Sequence, residues 1–535
     1  MNVDCVVNYM GGLNYTMDPM KKLLFVMASS IVGEPQYYRD GNKNKKTMPE
    51  SYLRCMLFPE LNNKNTMEIA IEIINNALNV NFAETLNLAV KLRNEYMMRK
   101  NPQLILVLAL LHEKRQEFDI QNPKFMREII KKISPRPDDM YMQFEFYKLI
   151  ANMGKKKLPG ILKKGWCDVL ENLSNYQLKK YLKKGHIIDL IRMSHPNPTK
   201  NESLTEIIKT GDLSIQDEEK TWEMLRSSGI GWKDILQQIH IPHMALLRNL
   251  KNILSEISID EIQLQDIINK LIKGVTNGKQ FPFRYYTAYK LIQDHHIEPI
   301  NLGNMENKKN IILKGLESCM VESLKNYPKL KGDTLSLVDN SGSARSSFNS
   351  SYGSTQISTI ANLSGLLTAI NCEGRGVVGV FGDNLILYEV DKNAPILEQL
   401  NKIENIGNTV GQSTENGIWI YFNKALSGDT NMLFQNIFIY SDQQCGTGGL
   451  YGKNPKEYRN YTWNNTNYID LLQLLKDYRE KVNKNVNVFS IQVAGYDNSI
   501  LPDNIYRGAI MSGWTGAESL YASEIIKLWD ELENN

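Results

Sequence analysis

No stretch of the 535 residues approaches 18 consecutive apolar positions, so no membrane-spanning helix is expected. The opening residues, Met1-Asn2-Val3-Asp4-Cys5, lack a basic segment followed by an apolar run, which argues against a secretory signal. Cysteine is scarce, with six residues at 5, 55, 167, 319, 372 and 445. They form no Cys-x-x-Cys pair and no Cys/His cluster at zinc spacing. Neither a disulfide framework nor a structural zinc site is expected, and a reduced, cytoplasmic setting is. A phosphate-binding P-loop is missing too. The nearest sequence, Gly274 to Lys279, lacks one spacing residue and ends in Gln280. Apolar residues at 42% and charged residues at 23% are near the globular average, which excludes a disordered or collagen-like chain.

What charge there is has an uneven distribution. The net value of +3 splits into 14 Lys+Arg against 22 Asp+Glu over 333–535, and 48 against 37 over the rest. A basic part and an acidic part suggest modules with different partners. The basic part suits a polyanion such as RNA, although a solvated Lys-rich surface explains the same numbers.

From about residue 18 to 325 the apolar positions recur with the helical period. Ile69, Ile73, Ile74, Ala77 and Leu78 form one stripe. Leu104 to Leu111 is apolar almost throughout, which predicts a helix buried on most sides. Breaks such as Asn101-Pro102, Ser134-Pro135-Arg136-Pro137 and Ile241-Pro242 are short. Stacked helix pairs follow, with degenerate repeats of about 40 residues allowed, as in HEAT arrays. Residues 1–330 are read as this helical module.

The pattern changes at Gly332-Asp333. Strands are predicted at 334–338, 376–381, 385–390, 436–440, 486–493 and 509–511. Helices are predicted between them, at about 355–371, 394–402, 415–426, 467–483 and 517–533. The alternation specifies a mostly parallel sheet covered on both faces over 333–535. Ligands of such sheets bind beyond the carboxyl ends of the strands.

A chemical constellation falls at that edge. Asp339-Asn340-Ser341-Gly342-Ser343 follows the first strand, and Ser441-Asp442 ends the fourth. Between them Val410-Gly411-Gln412-Ser413-Thr414-Glu415 brings another hydroxyl to the start of a helix. Asp339, Ser341, Ser343, Thr414 and Asp442 are all hard oxygen donors, which suits Mg²⁺. Ser413 is the alternative to Thr414. The bland alternative is an N-capping Ser with an Asx turn.

This arrangement resembles the metal-ion-dependent adhesion site (MIDAS) of a von Willebrand factor A domain. An A domain after a helical array is similar to the Ro ribonucleoprotein (TROVE-domain) family. Asn8-Tyr9-Met10-Gly11-Gly12-Leu13 and Tyr37-Tyr38-Arg39-Asp40 resemble the start of a bacterial-type member. Leu190 to His195, Ala245 to Leu250 and Phe281-Pro282-Phe283-Arg284 are similar to further family motifs. The resemblance implies a ring of HEAT-like helical repeats followed by a Rossmann-like A domain. It implies a monomeric, non-enzymatic RNA-binding protein that takes small noncoding Y RNA on the outer surface. It also implies that single-stranded 3′ ends of misfolded RNA enter the central hole for RNA quality control and decay, with polynucleotide phosphorylase as partner.

The densest basic run lies in 154–195. Lys179 and Lys183 are four apart and share one helix face, with Lys180 and Lys184 in the neighbouring row. The family's Y RNA contacts map onto Lys179, Lys183 and His195, with Lys180 and Lys184 as alternatives and Arg192 beside them. A lysine row is equally a solvated face. His195 at a helix end equally caps the last carbonyls. Two rival functions remain. One is a Mg²⁺-dependent protein-interaction module without an RNA role. The other is a metal-dependent phosphoryl hydrolase, disfavoured because no histidine occurs beyond His296. The residues 443–467 form a long predicted loop at the metal edge.

Overall fold

The computed structural model describes residues 5–7, 13–15, 19–20, 23, 66–95, 98–151, 157–182, 186–214, 220–295, 302–345, 347–350, 353–413, 416–430, 432–442, 461, 471–493, 501, 505–512 and 518–533. They fall into two compact units. One comprises Asp18–Met27 and Met67–Ile241, the other Met1–Met17, Ala28–Thr66 and Pro242–Asn535. A two-stranded hairpin, β1 (Cys5–Val7) and β2 (Leu13–Tyr15), belongs to the second.

The first unit is helical. Its elements are α1 (Thr66–Val80), α2 (Phe82–Asn94), α3 (Asn101–Leu111), α4 (Arg115–Gln121), α5 (Phe125–Ile133), α6 (Pro137–Ile150) and α7 (Gly160–Leu170). They continue as α8 (Asn175–Leu182), α9 (His186–Ser194), α10 (Glu202–Thr210), α11 (Trp222–Ser227) and α12 (Trp232–Gln238). α3 is buried from Asn101 to Leu110, as its unbroken apolar run requires. α5 buries Met126, Ile129, Ile130 and Ile133, one stripe at helical spacing, and packs on α2 and α7.

A polar network ties these helices together inside the core. Gln143 Nε2 donates to Gln103 Oε1 and to Ser134 Oγ, each at 2.6 Å, and Trp166 Nε1 donates to Gln143 Oε1 at 2.7 Å. Arg93 Nη2 pairs with the fully buried Asp139 at 2.7 Å. Arg99 pairs with Asp138, which also accepts from Tyr181 Oη at 3.1 Å. Burial opposes ionisation of Asp138, but Arg99 and Tyr181 hold its carboxyl below the usual range.

The second unit begins with α13 (His243–Leu254), α14 (Glu261–Lys273), α15 (Val275–Gly278), α16 (Pro282–Gln293) and α17 (Leu302–Leu324). Asp260 and Gln263 close a reciprocal capping box on α14. α17 packs along α14 and α16. Then come β3 (Thr334–Asp339), β4 (Ser347–Ser350), β5 (Gly353–Gln356), α18 (Ile357–Ile370), β6 (Gly376–Phe381), β7 (Leu385–Glu389), α19 (Ile396–Gly407) and α20 (Gly417–Leu426). The chain ends with β8 (Asn436–Ser441), α21 (Leu471–Lys481), β9 (Asn487–Gln492), β10 (Gly508–Ser512) and α22 (Glu518–Glu533). Glu317 of α17 accepts the Leu397 N–H at the start of α19, at 2.8 Å.

The six-stranded sheet has the order β10-β9-β8-β3-β6-β7, parallel except for the β7 edge. β3, β6 and β8 are buried at every position, which both-sided helical cover demands. Leu335, Leu337, Ile437 and Ile439 enter the core cluster with Phe422, Leu474 and Tyr478. α18 lies close to the sheet: a Cβ on Gly365 would come within 2.2 Å of Val338 Cγ1. The six strands and five helices fall where the sequence predicts them, within a few residues. The β4–β5 hairpin was not expected, because its Ser, Gly and Asn carry little strand propensity.

Candidate metal centre and basic helix face

β3 sits at the centre of the sheet, with β6 on one side and β8 on the other. The chain order reverses there, so the crevice opens at the ends of β3 and β8. Val338 pairs with Tyr440, which sets Asp339 beside Ser441 and brings Asp442 to the same edge. Asp339 and Asp442 are both fully buried. The Asp339 carboxyl is pushed up to about 7, by burial first and then by the charge of Asp442. Asp339 Oδ1 accepts the Ser341 N–H at 2.8 Å. Its Oδ2 is buried and has no hydrogen-bond partner among the described residues. Ser341 Oγ and Ser343 Oγ lie 3.3 Å apart.

Thr414 lies outside the described residues, but the segment before it is placed. Gly342 N–H donates to the Gln412 carbonyl at 2.9 Å, so the loop that carries Ser413 meets the Asp339 loop. A Cβ on Gly342 would stand 2.8 Å from that carbonyl, so only glycine allows the approach. Gly411, at φ +86°, supplies the left-handed turn beside it.

Two supporting residues have no signal in the motif itself. Arg345 Nε donates to the Asn340 carbonyl at 3.1 Å and Nη1 to Asn408 Oδ1 at 2.8 Å, with Nη2 on the Gly407 carbonyl. Asn340 and Asn362 exchange amide hydrogen bonds at 2.8 and 3.1 Å. The loop backbone is thus fixed from behind while its oxygens face the crevice. Two close buried carboxylates, one with an unsatisfied oxygen, plus two hydroxyls and no nitrogen or sulfur ligand fit a hard divalent cation. Among the described residues no group of three His, Cys, Asp or Glu converges, so the hydroxyls are integral to any such site.

The basic face is less open than its sequence suggests. Lys179 on α8 is not presented as a free exposed cation. Its ammonium pairs with Asp212 and donates to the Leu213 carbonyl at 2.8 Å, leaving the side chain 15% exposed. Asp212 is 33 residues away and invisible to helical spacing. Lys180 is exposed, with Nζ 5.8 Å from the Tyr176 ring centroid. Lys183, Lys184 and nearly all of 443–467 lie outside the described residues. Arg192 and His195 are exposed. His195 takes φ +57°, and its N–H closes α9 on the Ile191 carbonyl at 2.9 Å. A left-handed residue just past the last turn is a common way to end a helix, and histidine is among the few non-glycine residues enriched in that region.

Residues 213–331 match the family model of the TROVE domain. No curated protein matches the chain by sequence. Among solved structures, the crystal structure of the Deinococcus radiodurans Ro (RSR) protein matches with a TM-score of 0.60. That match covers 95% of this chain and 99% of that one at 12% identity, so the likeness is one of fold. The resemblance to the Ro, TROVE-domain family read from the sequence is therefore present at two levels, helical repeats followed by an A domain in fold and the TROVE match in sequence. No helix among the described residues is long and apolar enough to cross a membrane.

Proposed function

We propose that this chain, with its TROVE-domain segment and Ro fold, is the RNA-binding scaffold of a ribonucleoprotein. The TROVE match over 213–331 is the observation that carries the reading. In it, a small structured noncoding RNA of the Y type binds across α8 and α9. Single-stranded 3′ ends of misfolded RNA are taken up for quality control and decay, with an exoribonuclease such as polynucleotide phosphorylase as partner. The exposed Arg192, His195 and Lys180 support the first contact, joined by Lys183 and Lys184. Lys179 joins only when phosphate displaces Asp212.

The metal belongs to the same reading. Asp339, Ser341, Ser343, Asp442 and Thr414 would hold Mg²⁺, with Ser413 as the alternative to Thr414. The ion would supply an electrophilic contact for an acidic group of a partner. The chain's own part is to hold the hydroxyls 3.3 Å apart and to bring both carboxylates to the same buried sheet edge.

Filter binding of a structured small RNA at three salt concentrations tests the scaffold. Replacing Lys179 and Lys183 by Ala should weaken binding and flatten the salt slope by about two if each neutralises one phosphate. His195→Ser should weaken binding with less change in slope. Unchanged affinity in the double lysine variant would sink the proposed face.

A further inference from the structure

A cavity of about 720 Å³ opens in the second unit, beside the metal loop. Asn340 and Arg345 of that loop line it, together with Thr355, Gln356, Ser358 and Thr359 at the start of α18. Its volume lies within the range of about 300–1,000 Å³ typical of small-ligand sites. Neither Asp339 nor Asp442 lines it.

The start of α18 is an open helix end. The first N–H groups of a helix have no partner inside it and carry the positive end of its dipole. Gln356, at the N-cap, makes no side-chain capping bond, and the first turn holds no acidic residue. The Ser358 N–H donates to the Ala344 carbonyl at 2.7 Å, which sets this turn against the residue before Arg345.

The side chains at that end point to a ligand. Ser358 is only 5% exposed and lines the cavity, and its hydroxyl has no hydrogen-bond partner among the described residues. Buried hydroxyls are normally paired, so an unpaired one in a cavity wall is open to a group that enters. A guanidinium has five N–H donors. Arg345 makes three bonds, all to neutral oxygens, those of Asn340, Gly407 and Asn408, and no carboxylate among the described residues pairs with it. Glu404 Oε1 accepts from the hydroxyl of Thr359, the residue after Ser358, at 3.3 Å, so one carboxylate stands beside the same turn.

That combination narrows the chemistry. An oxyanion suits the helix end, the Ser358 hydroxyl and the spare donors of Arg345. An ionised Glu404 only accepts, so a bare oxyanion such as sulfate meets a like charge there. A phosphate ester with a hydroxyl close by brings both the oxyanion and the donor. Lys290 and Asp294 of α16 also line the cavity and together add no net charge.

We propose that the cavity at the start of α18 binds a small hydroxylated phosphomonoester, with its phosphate on Ser358, Arg345 and the α18 N-terminus and its hydroxyl on Glu404. The proposal does not depend on the RNA-binding reading above.

The test is isothermal titration calorimetry on the full chain with glycerol 3-phosphate and with sulfate at constant ionic strength. EDTA is present throughout, which keeps either anion from binding through a metal ion. Glycerol 3-phosphate should bind, and sulfate should bind at least about tenfold more weakly, because it leaves Glu404 without a donor. Ser358→Ala should weaken glycerol 3-phosphate about tenfold without lowering the melting temperature, since the deleted hydroxyl has no partner to lose. Glu404→Gln should bring sulfate level with glycerol 3-phosphate, because its amide can donate to either. Should Ser358→Ala melt early, the Glu404→Gln comparison decides alone. Equal binding of the two anions by the parent, or binding of neither, overturns the proposal. An affinity unchanged in a well-folded Ser358→Ala protein overturns it too. None of these outcomes bears on the RNA-binding reading.

Discussion

Replacing Asp442 by Asn separates what the metal-edge carboxylates cost from what they do. Asp339 and Asp442 are buried, mutually repelling acids. Like charges about 4 Å apart interact by roughly 4 kcal/mol at an effective dielectric of 20. Burial is the larger influence on Asp339, and the variant leaves it in place. The relief is therefore expected at about 1–2 kcal/mol. In EDTA the Asp442→Asn protein should melt a few degrees above the parent, since about 1 kcal/mol shifts a domain of 150–250 residues by roughly 2–4 °C. Mg²⁺ should reverse the order. Saturation at about 100 times the dissociation constant adds roughly 2.7 kcal/mol to a protein that binds only when folded. The parent should gain this and the variant, lacking one of the two carboxylates, should not. Differential scanning fluorimetry from 0 to about 10 mM Mg²⁺ should show the two curves crossing. Parallel curves, or a parent that is more stable in EDTA, would refute the reasoning.

Two further outcomes are expected. Asp139→Ala leaves the Arg93 guanidinium buried without its carboxylate, so urea unfolding should show a loss of about 3–5 kcal/mol. Replacing both residues by apolar ones of similar size should recover most of it. His243, whose Nε2 lies 2.8 Å from Tyr285 Oη, is held below the ordinary histidine value by burial. Its folded pKa is depressed, so its stabilising contribution is present above the unfolded value near 6.5 and lost as pH falls below it. Melting temperature should drop between pH 7.5 and 5.5, and less so in His243→Gln.

The α/β half was legible because each strand is a short apolar run ended by Gly, Asp or Asn. Val377 to Phe381 and Ile437 to Tyr440 admit little else. The meeting of Asp339 and Asp442 at one sheet edge was legible for the same reason, since each closes a strand. The loop support was not. Arg345 reaches Asn408 across 63 positions, and Asn340 reaches Asn362 across a hairpin whose composition signals no strand. The helical half shows the opposite failure. Spacing puts Lys179 correctly on α8, but Asp212 and the Leu213 carbonyl decide where its ammonium goes. Periodicity reports which way a helix faces and is blind to the loop that arrives opposite it.

The central place of β3 has a consequence for how the protein matures. The two buried acids come from strands about a hundred residues apart in sequence that are neighbours only in the finished sheet. Pairings of that range form late in folding, because their chain closure is slow. A slip of β8 by one residue would turn Asp442 toward the opposite face. If the site takes Mg²⁺ as proposed, only chains whose β3 and β8 have met in register could capture it. Ion capture would therefore act as proofreading of the sheet, and apo protein made in chelator should refold to a mixture that cation alone resolves.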